Sequence, residues 1–185
     1  GAVEYLSFSD GTIIELSDLT GLQEGTAGND TLVGNDALTF LHDTLKGLDG
    51  DDTLDGGLED DILEGGYGDD TYIIASGSDL VSDIAGTDKI IFGSGLNSSS
   101  VSYDNDTDGN LLISFGGVLY ATIENQFTSN GQIEVLEFAN GVSVQTSTLH
   151  FDQTGTSSAD TIYGYRYGAD INNTINAGAG NDRIY

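Results

Sequence analysis

A nine-residue pattern constrains this chain more than any other feature. Gly25-Thr-Ala-Gly-Asn-Asp-Thr-Leu-Val33, Gly47-Leu-Asp-Gly-Asp-Asp-Thr-Leu-Asp55, Gly56-Gly-Leu-Glu-Asp-Asp-Ile-Leu-Glu64 and Gly65-Gly-Tyr-Gly-Asp-Asp-Thr-Tyr-Ile73 align position by position. Position one is Gly in all four, position six is Asp30, Asp52, Asp61 and Asp70, and position eight is Leu32, Leu54, Leu63 and Tyr72. Six residues make a turn, in which glycine supplies positive φ and lets neighbouring backbones approach closely. The other three make a short strand whose middle side chain points one way. Two turn–strand units close one coil of a flattened spiral, so like turns stack every 18 residues. That spacing pairs Asp43 with Asp61 and Asp52 with Asp70. Asp43 belongs to a degenerate 13-residue copy, Gly34 to Lys46, and reaches the sixth position after a four-residue insertion. Asp30 is expected to pair across that insertion.

A second period is longer. With an offset of 130 and no gap, Glu4, Leu6, Phe8 and Gly11 fall on Glu134, Leu136, Phe138 and Gly141, and Asp30-Thr31 on Asp160-Thr161. The second array reads Gly155 to Tyr163, then a 13-residue copy from Gly164 to Asn176, then Ala177 to Tyr185. The odd 13-residue copy recurs at the same place in both arrays. Repeats at this scale predict a piece of a longer tandem protein.

Charge narrows the function. With 31 acids against 4 Lys and Arg the net charge is −27, which argues against nucleic acid and anionic membrane surfaces and for cations. No Cys is present, which excludes disulfides, thiolate metal sites and Cys nucleophiles. No apolar run reaches the ~18 residues of a membrane span, and the first residues lack the basic region of a signal peptide. No nucleophile–base constellation, G-x-S-x-G or H-E-x-x-H motif appears, so the chain is not expected to be an enzyme. Carboxylate pairs abound but sit in repeated turns rather than in a cleft of the kind glycosidases need.

Hard oxygen ligands in stacked turns suit calcium, which takes six to eight oxygens at ~2.3–2.6 Å from carboxylates and carbonyls alike. The candidate ligands are Asp30, Asp43, Asp52, Asp61, Asp70, Asp160 and Asp182 at position six. Gly47, Asp49, Asp51, Asp60, Gly66, Gly68 and Asp69 are further candidates in the same turns. The apolar stripe is thin and residues 25–74 carry 13 acids against Lys46 alone. Binding energy of several calcium ions therefore has to be folding energy, and the arrays are expected to be disordered without calcium. Glu59 at position four, and Ser157-Ser158 in place of Ala27-Gly28, mark turns expected to bind weakly or not at all.

The motif G-G-x-G-x-D-x-U-x, with U a large apolar residue, resembles the calcium-binding nonapeptide of RTX (repeats-in-toxin) proteins over residues 25–73 and 155–185. Thr87-Asp-Lys-Ile-Ile-Phe-Gly93, Asp108-Gly-Asn-Leu-Leu-Ile-Ser114, Ala121-Thr-Ile-Glu-Asn125 and Ile133-Glu-Val-Leu-Glu-Phe-Ala-Asn-Gly141 resemble the β-domain between RTX arrays in large toxins and adhesins. The resemblance implies an all-β fold: a calcium-loaded, right-handed parallel β-roll with antiparallel strands flanking and capping it. Residues 1–24 would end a preceding β-segment, 25–74 form the first array, 75–154 a spacer or cap, and 155–185 the start of a second array. Strand patterns at 80–84, 89–92, 101–103, 110–115, 118–123 and 133–138 are read as antiparallel hairpins, because a spiral must cover the unpaired edges of its last coil.

Asp104-Asn-Asp-Thr-Asp-Gly109 matches the opening of an EF-hand loop, but position twelve is Phe115 and no helices flank it. It reads as a hairpin turn or as a lone, weak calcium site through Asp104, Asp106 and Asp108. His42 and His150 read as surface or insertion residues. The resemblance implies a calcium-binding module of a large secreted or surface protein of the adhesin or surface-layer type. Such proteins leave the cell through type I secretion machinery, fold outside on calcium, and end at the bacterial cell surface or in the medium. A cell-surface glycan or protein receptor would be a further partner. The rival is the RTX region of a secreted toxin or enzyme whose active domain lies elsewhere. A third reading, a carbohydrate- or ice-binding face, has Thr31, Thr44, Thr53 and Thr71 in its favour, with Ile62 breaking the row.

Overall fold

Three-residue strands with one apolar side chain cannot stand alone; they become stable only when each coil buries that side chain against the coils above and below. The computed structural model describes residues 5–7, 9–11, 13–15, 21–36, 42–106, 108–127, 132–149, 153–154, 157–159, 161–162 and 175–184. After an antiparallel pair, β1 (Tyr5–Ser7) and β2 (Ile13–Glu15), the chain alternates between two sheets. The strands are β3 (Leu22–Glu24), β4 (Thr31–Val33), β5 (Thr44–Asp49), β6 (Thr53–Asp55), β7 (Ile62–Tyr67), β8 (Thr71–Ile74), β9 (Asp79–Ser82) and β10 (Asp88–Phe92). β3, β5, β7 and β9 run parallel in one sheet, and β4, β6, β8 and β10 run parallel in the other. This is the parallel roll.

The register is the 18-residue period made visible. Thr44 pairs with Ile62, Ile62 with Leu80, Thr53 with Thr71, and Lys89 with Thr71. The first coil is longer: Leu22 pairs with Thr44 and Thr31 with Thr53. The four inserted residues lengthen the connection between β4 and β5 and leave the strand pairing on both sides intact. Position eight fills the core: Leu54, Leu63 and Tyr72 are fully buried, as are Leu45, Val81 and Ile90.

The hairpin expectation for residues 80–84 and 89–92 is not met. Those segments are β9 and β10, and they continue the parallel coils. The alternation of Leu80-Val81-Ser82 suits a parallel rung as well as a hairpin arm, so alternation alone could not separate the two.

Antiparallel strands follow: β11 (Val101–Asn105), β12 (Leu111–Phe115), β13 (Val118–Ile123), β14 (Ile133–Glu137) and β15 (Ser143–Gln145). β13 lies parallel to β9, and β12 and β11 then pair antiparallel beyond it. β14 lies parallel to β10, with β15 antiparallel to it. Both sheets thus exchange a parallel for an antiparallel continuation at the same end. Phe92 closes that end, stacking on Phe138 at 5.2 Å and meeting Phe115 edge-on at 5.0 Å. Buried Gln126 donates to the Ile133 carbonyl at 2.9 Å and accepts the Ile133 N–H at 2.9 Å, fixing the entry to β14. Among the described residues there is no α-helix, only a 3-10 turn at Thr146–Thr148.

The longer period is structural too. β16 (Gln153–Thr154), β17 (Thr161–Ile162), β18 (Ile175–Asn176) and β19 (Arg183–Ile184) pair in parallel, β16 with β18 and β17 with β19. Gln153 opposite Ile175 and Thr161 opposite Arg183 reproduce Gln23 opposite Leu45 and Thr31 opposite Thr53, each residue moved by 130.

Candidate metal centre

Position-six aspartates form two ladders, one along each edge of the roll. On one edge the backbone N–H of Asp43 donates to Asp61 Oδ1 at 2.7 Å, and that of Asp61 to Asp79 Oδ1 at 3.0 Å. On the other, Asp30 N–H donates to Asp52 at 2.7 Å, Asp52 N–H to Asp70 at 2.7 Å and Asp70 N–H to Asp88 at 2.7 Å. Glu134 of β14 ends the second ladder, accepting the Asp88 N–H at 2.7 Å. The pairs Asp43–Asp61 and Asp52–Asp70 come together as the spacing requires, and Asp30 reaches Asp52 across the insertion.

Asp52, Asp61, Asp70 and Asp88 each spend one oxygen on this clamp and have one left over, while Asp43, first in its ladder, spends one on the Asn35 N–H at 2.7 Å. Asp43, Asp52, Asp61, Asp70, Asp79 and Asp88 are at most 2% exposed. One buried oxygen on each of Asp43, Asp52, Asp61, Asp70 and Asp88 has no hydrogen-bond partner. A buried carboxylate oxygen with nothing to accept from is costly. The glycine at position one keeps a cradle open beside it. A Cβ on Gly56 would lie 2.5 Å from the unpartnered Asp61 Oδ2, and one on Gly47 or Gly65 would crowd Asp52 Oδ2 or Asp70 Oδ2. Hard oxygens, buried, repeated and short of donors, are the donor set of calcium. The residues present fit the ion.

The electrostatics agree. Burial pushes the carboxyl of Asp61 up to about 6, Asp70 to about 7 and Asp79 to about 8. The N–H from the preceding coil works against burial in each, and neighbouring carboxylates reinforce it. Asp52, Asp88 and Glu134 move the same way, again chiefly through burial.

The other expected ligands are placed differently. Asp51, Asp60 and Asp69 are exposed on the outside of the turns, where their Oδ1 atoms accept the backbone N–H of Asp69 at 3.0 Å, Ser78 at 2.8 Å and Thr87 at 2.9 Å. They staple coil to coil. Asp49 is exposed at the end of β5 opposite Tyr67. Gly47 is buried under Asp52, and Gly66 and Gly68 hold φ of +123° and +128°. His42 is exposed and its Nδ1 contacts the Asp60 carbonyl at 2.6 Å. Asp104 lies in β11 opposite Leu112, and Asp106 and Asp108 stand in the β11–β12 turn. Burial raises the Asp106 carboxyl, but hydrogen bonds from Asn110, Asp108 and Gly109 outweigh it and hold the group below its usual range. Asp182 lies in the second array, where a Cβ on Gly180 would come 2.9 Å from its Oδ1. Asp160 falls outside the described residues.

Sequence reasoning missed Asp79, Asp83, Asp88 and Glu134. The signal for two of them was present. Asp79 and Asp88 stand 18 residues beyond Asp61 and Asp70, with Val81 and Ile90 at position eight and Gly77 and Gly86 at position four. Ile74 and Asp83 replace the glycine at position one, which hid both copies.

Two turn positions of the repeats carry a side chain where the backbone turns left-handed: Leu48 at φ +85° and Glu59 at φ +69°. Such a conformation costs an L-residue about 1–2 kcal/mol, part of which glycine returns as unfolded-state entropy. Glu59→Gly is therefore expected to stabilise the calcium-loaded protein by about 0.5–1 kcal/mol. Guanidinium denaturation in saturating calcium measures it, and a lowered midpoint contradicts the assignment of strain.

The family model of the RTX calcium-binding nonapeptide repeat, four copies, matches residues 24–37, 41–72 and 167–185. No curated protein matches the chain. Among solved structures, the extracellular lipase LipA from Serratia marcescens is similar at 15% identity and a TM-score of 0.29. That alignment covers 84% of this chain and 32% of the lipase chain, so the chain spans about a third of that protein's length. The repeats bind calcium, and these segments of the chain are RTX calcium-binding nonapeptide repeats.

Proposed function

We propose that this chain is a calcium-dependent folding module of a large secreted or surface-bound protein of adhesin or surface-layer type. It crosses the membrane unfolded through a type I route and orders outside the cell. One observation carries the reading: five buried position-six carboxylates each hold an oxygen with no donor, in ladders that cannot neutralise themselves. Bound calcium supplies the positive charge that those oxygens lack. Asp30, Asp43, Asp52, Asp61 and Asp70 are the side chains we assign to it, with Asp79 and Asp88 as the next members of the two ladders. The protein's own contribution is the spacing: the Oδ1 of Asp52, Asp61, Asp70 and Asp88 clamps the coil before it, which leaves the second oxygen for the ion. Asp182 takes the corresponding role in the second array. The module itself is structural, and recognition of a glycan or protein receptor belongs to surfaces of the parent protein.

Circular dichroism in chelator and then in millimolar calcium tests this. Coil-like ellipticity should convert cooperatively to β-structure as calcium is added. An identical β-spectrum in both conditions removes the switch.

A further inference from the structure

We propose that Asp83 adds a third carboxylate to the last pair of the second ladder, Asp70 and Asp88, and so builds a terminal cation site where the roll meets its cap. It rests on the reading of the repeats as calcium-dependent. Two departures from the nonapeptide pattern meet here. Asp83 stands at position one, the place of Gly25, Gly47, Gly56 and Gly65 in earlier copies. Tyr72 stands at position eight, the place of Leu32, Leu54 and Leu63. The Tyr72 hydroxyl donates to Asp83 Oδ2 at 2.6 Å and accepts the Gly65 N–H at 3.1 Å. A leucine at 72 could do neither, and a glycine at 83 would give the hydroxyl no carboxylate to hold.

The result is a third carboxylate beside an existing ladder pair. One oxygen from each of Asp70, Asp83 and Asp88 lies within 4.8 Å of the others. Ligand oxygens at ~2.3–2.6 Å from one calcium ion are at most about 5 Å apart. Independently of that cluster, Asp70 is 1% and Asp88 0% exposed, and the Oδ2 of each has no hydrogen-bond partner. Asp83 Oδ1 is buried and unpartnered as well. The remaining oxygens are already committed: Asp70 Oδ1 to Asp52, Asp88 Oδ1 to Asp70, Asp83 Oδ2 to Tyr72. The ligand class is a hard divalent cation, calcium in the extracellular setting. Three carboxylates make this site more negative than the repeated turns, where position one is glycine, and affinity of oxygen sites rises with ligand charge. Glu134 holds the Asp88 N–H, so an ion here also fixes β14 of the cap to the last coil.

Calcium uptake by the whole chain, followed by calorimetry with equilibrium dialysis, tests the site in wild type, Asp83→Gly and Asp83→Asn. Asp83→Gly restores the repeat pattern, and Asp83→Asn keeps the shape and the Tyr72 contact. Both are expected to bind one calcium fewer, or to weaken the tightest class by roughly tenfold or more, while the other sites still titrate. Terbium luminescence excited through tyrosine should fall in Tyr72→Phe. Unchanged stoichiometry and affinity in both Asp83 variants, with calcium-driven folding intact, overturns the terminal site and leaves the repeats' role standing. A wild type that takes up no calcium overturns both.

Discussion

Asp61→Asn is expected to raise the calcium midpoint for folding by roughly tenfold or more, and yet to leave the calcium-free chain more ordered than wild type. Asparagine keeps an Oδ1 to accept the Asp43 N–H, which sits at 2.7 Å in the wild type. What it loses is the charge. In calcium that charge is needed. In chelator it is a burden, since burial, with repulsion from Asp43 and Asp36 behind it, lifts the Asp61 carboxyl to about 6. Asp61→Ala separates the two roles. It also strips the acceptor from a buried N–H, at a cost of about 1–3 kcal/mol, and should be less ordered than Asp61→Asn in both conditions. Ellipticity across a calcium titration, read for all three proteins, decides the matter. A wild-type midpoint in Asp61→Asn would mean that the free oxygen binds nothing. An Asn variant as disordered in chelator as the Ala variant would mean that charge does not oppose stacking.

The ladder pairs were legible because two constraints coincide on one residue. Asp at position six and an apolar residue at position eight recur every nine residues, and the coil doubles that to 18. Asp43–Asp61 and Asp52–Asp70 follow from arithmetic. Other features have no periodic signature. The turn's inside and outside cannot be told apart from spacing, so Asp51, Asp60 and Asp69 read as ligands although they face solvent and clamp neighbouring coils. β9 and β10 escaped because glycine at position one was taken as the mark of a repeat. What the coil needs physically is the Asp and the apolar residue two positions on, which Asp79 with Val81 and Asp88 with Ile90 supply. Glu134 reaches Asp88 from 46 residues away. Its place depends on how the cap's strands register on the roll, and the cap has no repeat from which to predict that.

Protons and calcium should act on the roll in opposite directions, because both neutralise the same oxygens. In chelator the carboxyls of Asp61, Asp70 and Asp79 titrate at about 6, 7 and 8 in the folded coil, against ~3.9 for an unfolded Asp. A folded-state pKa raised in this way adds stability that is complete below the unfolded value and lost as pH climbs through the folded one. Calcium-free chain is therefore expected to gain β-structure as pH falls from about 8 towards 4, most steeply between about 4 and 6, where all three carboxyls are protonated in the folded coil and ionised in the unfolded chain. In calcium the sign reverses. Binding requires ionised carboxylates, so protons compete and the calcium midpoint should rise steadily as pH drops through the same window. At an intermediate calcium concentration the two trends offset each other, and pH there has little effect on order. Circular dichroism over a grid of pH and calcium checks both slopes in one experiment. Acidification that leaves the chelated chain unordered would show that buried carboxylate charge is not what keeps it apart, and would shift the burden to the thin apolar stripe of Leu45, Leu54, Leu63 and Tyr72.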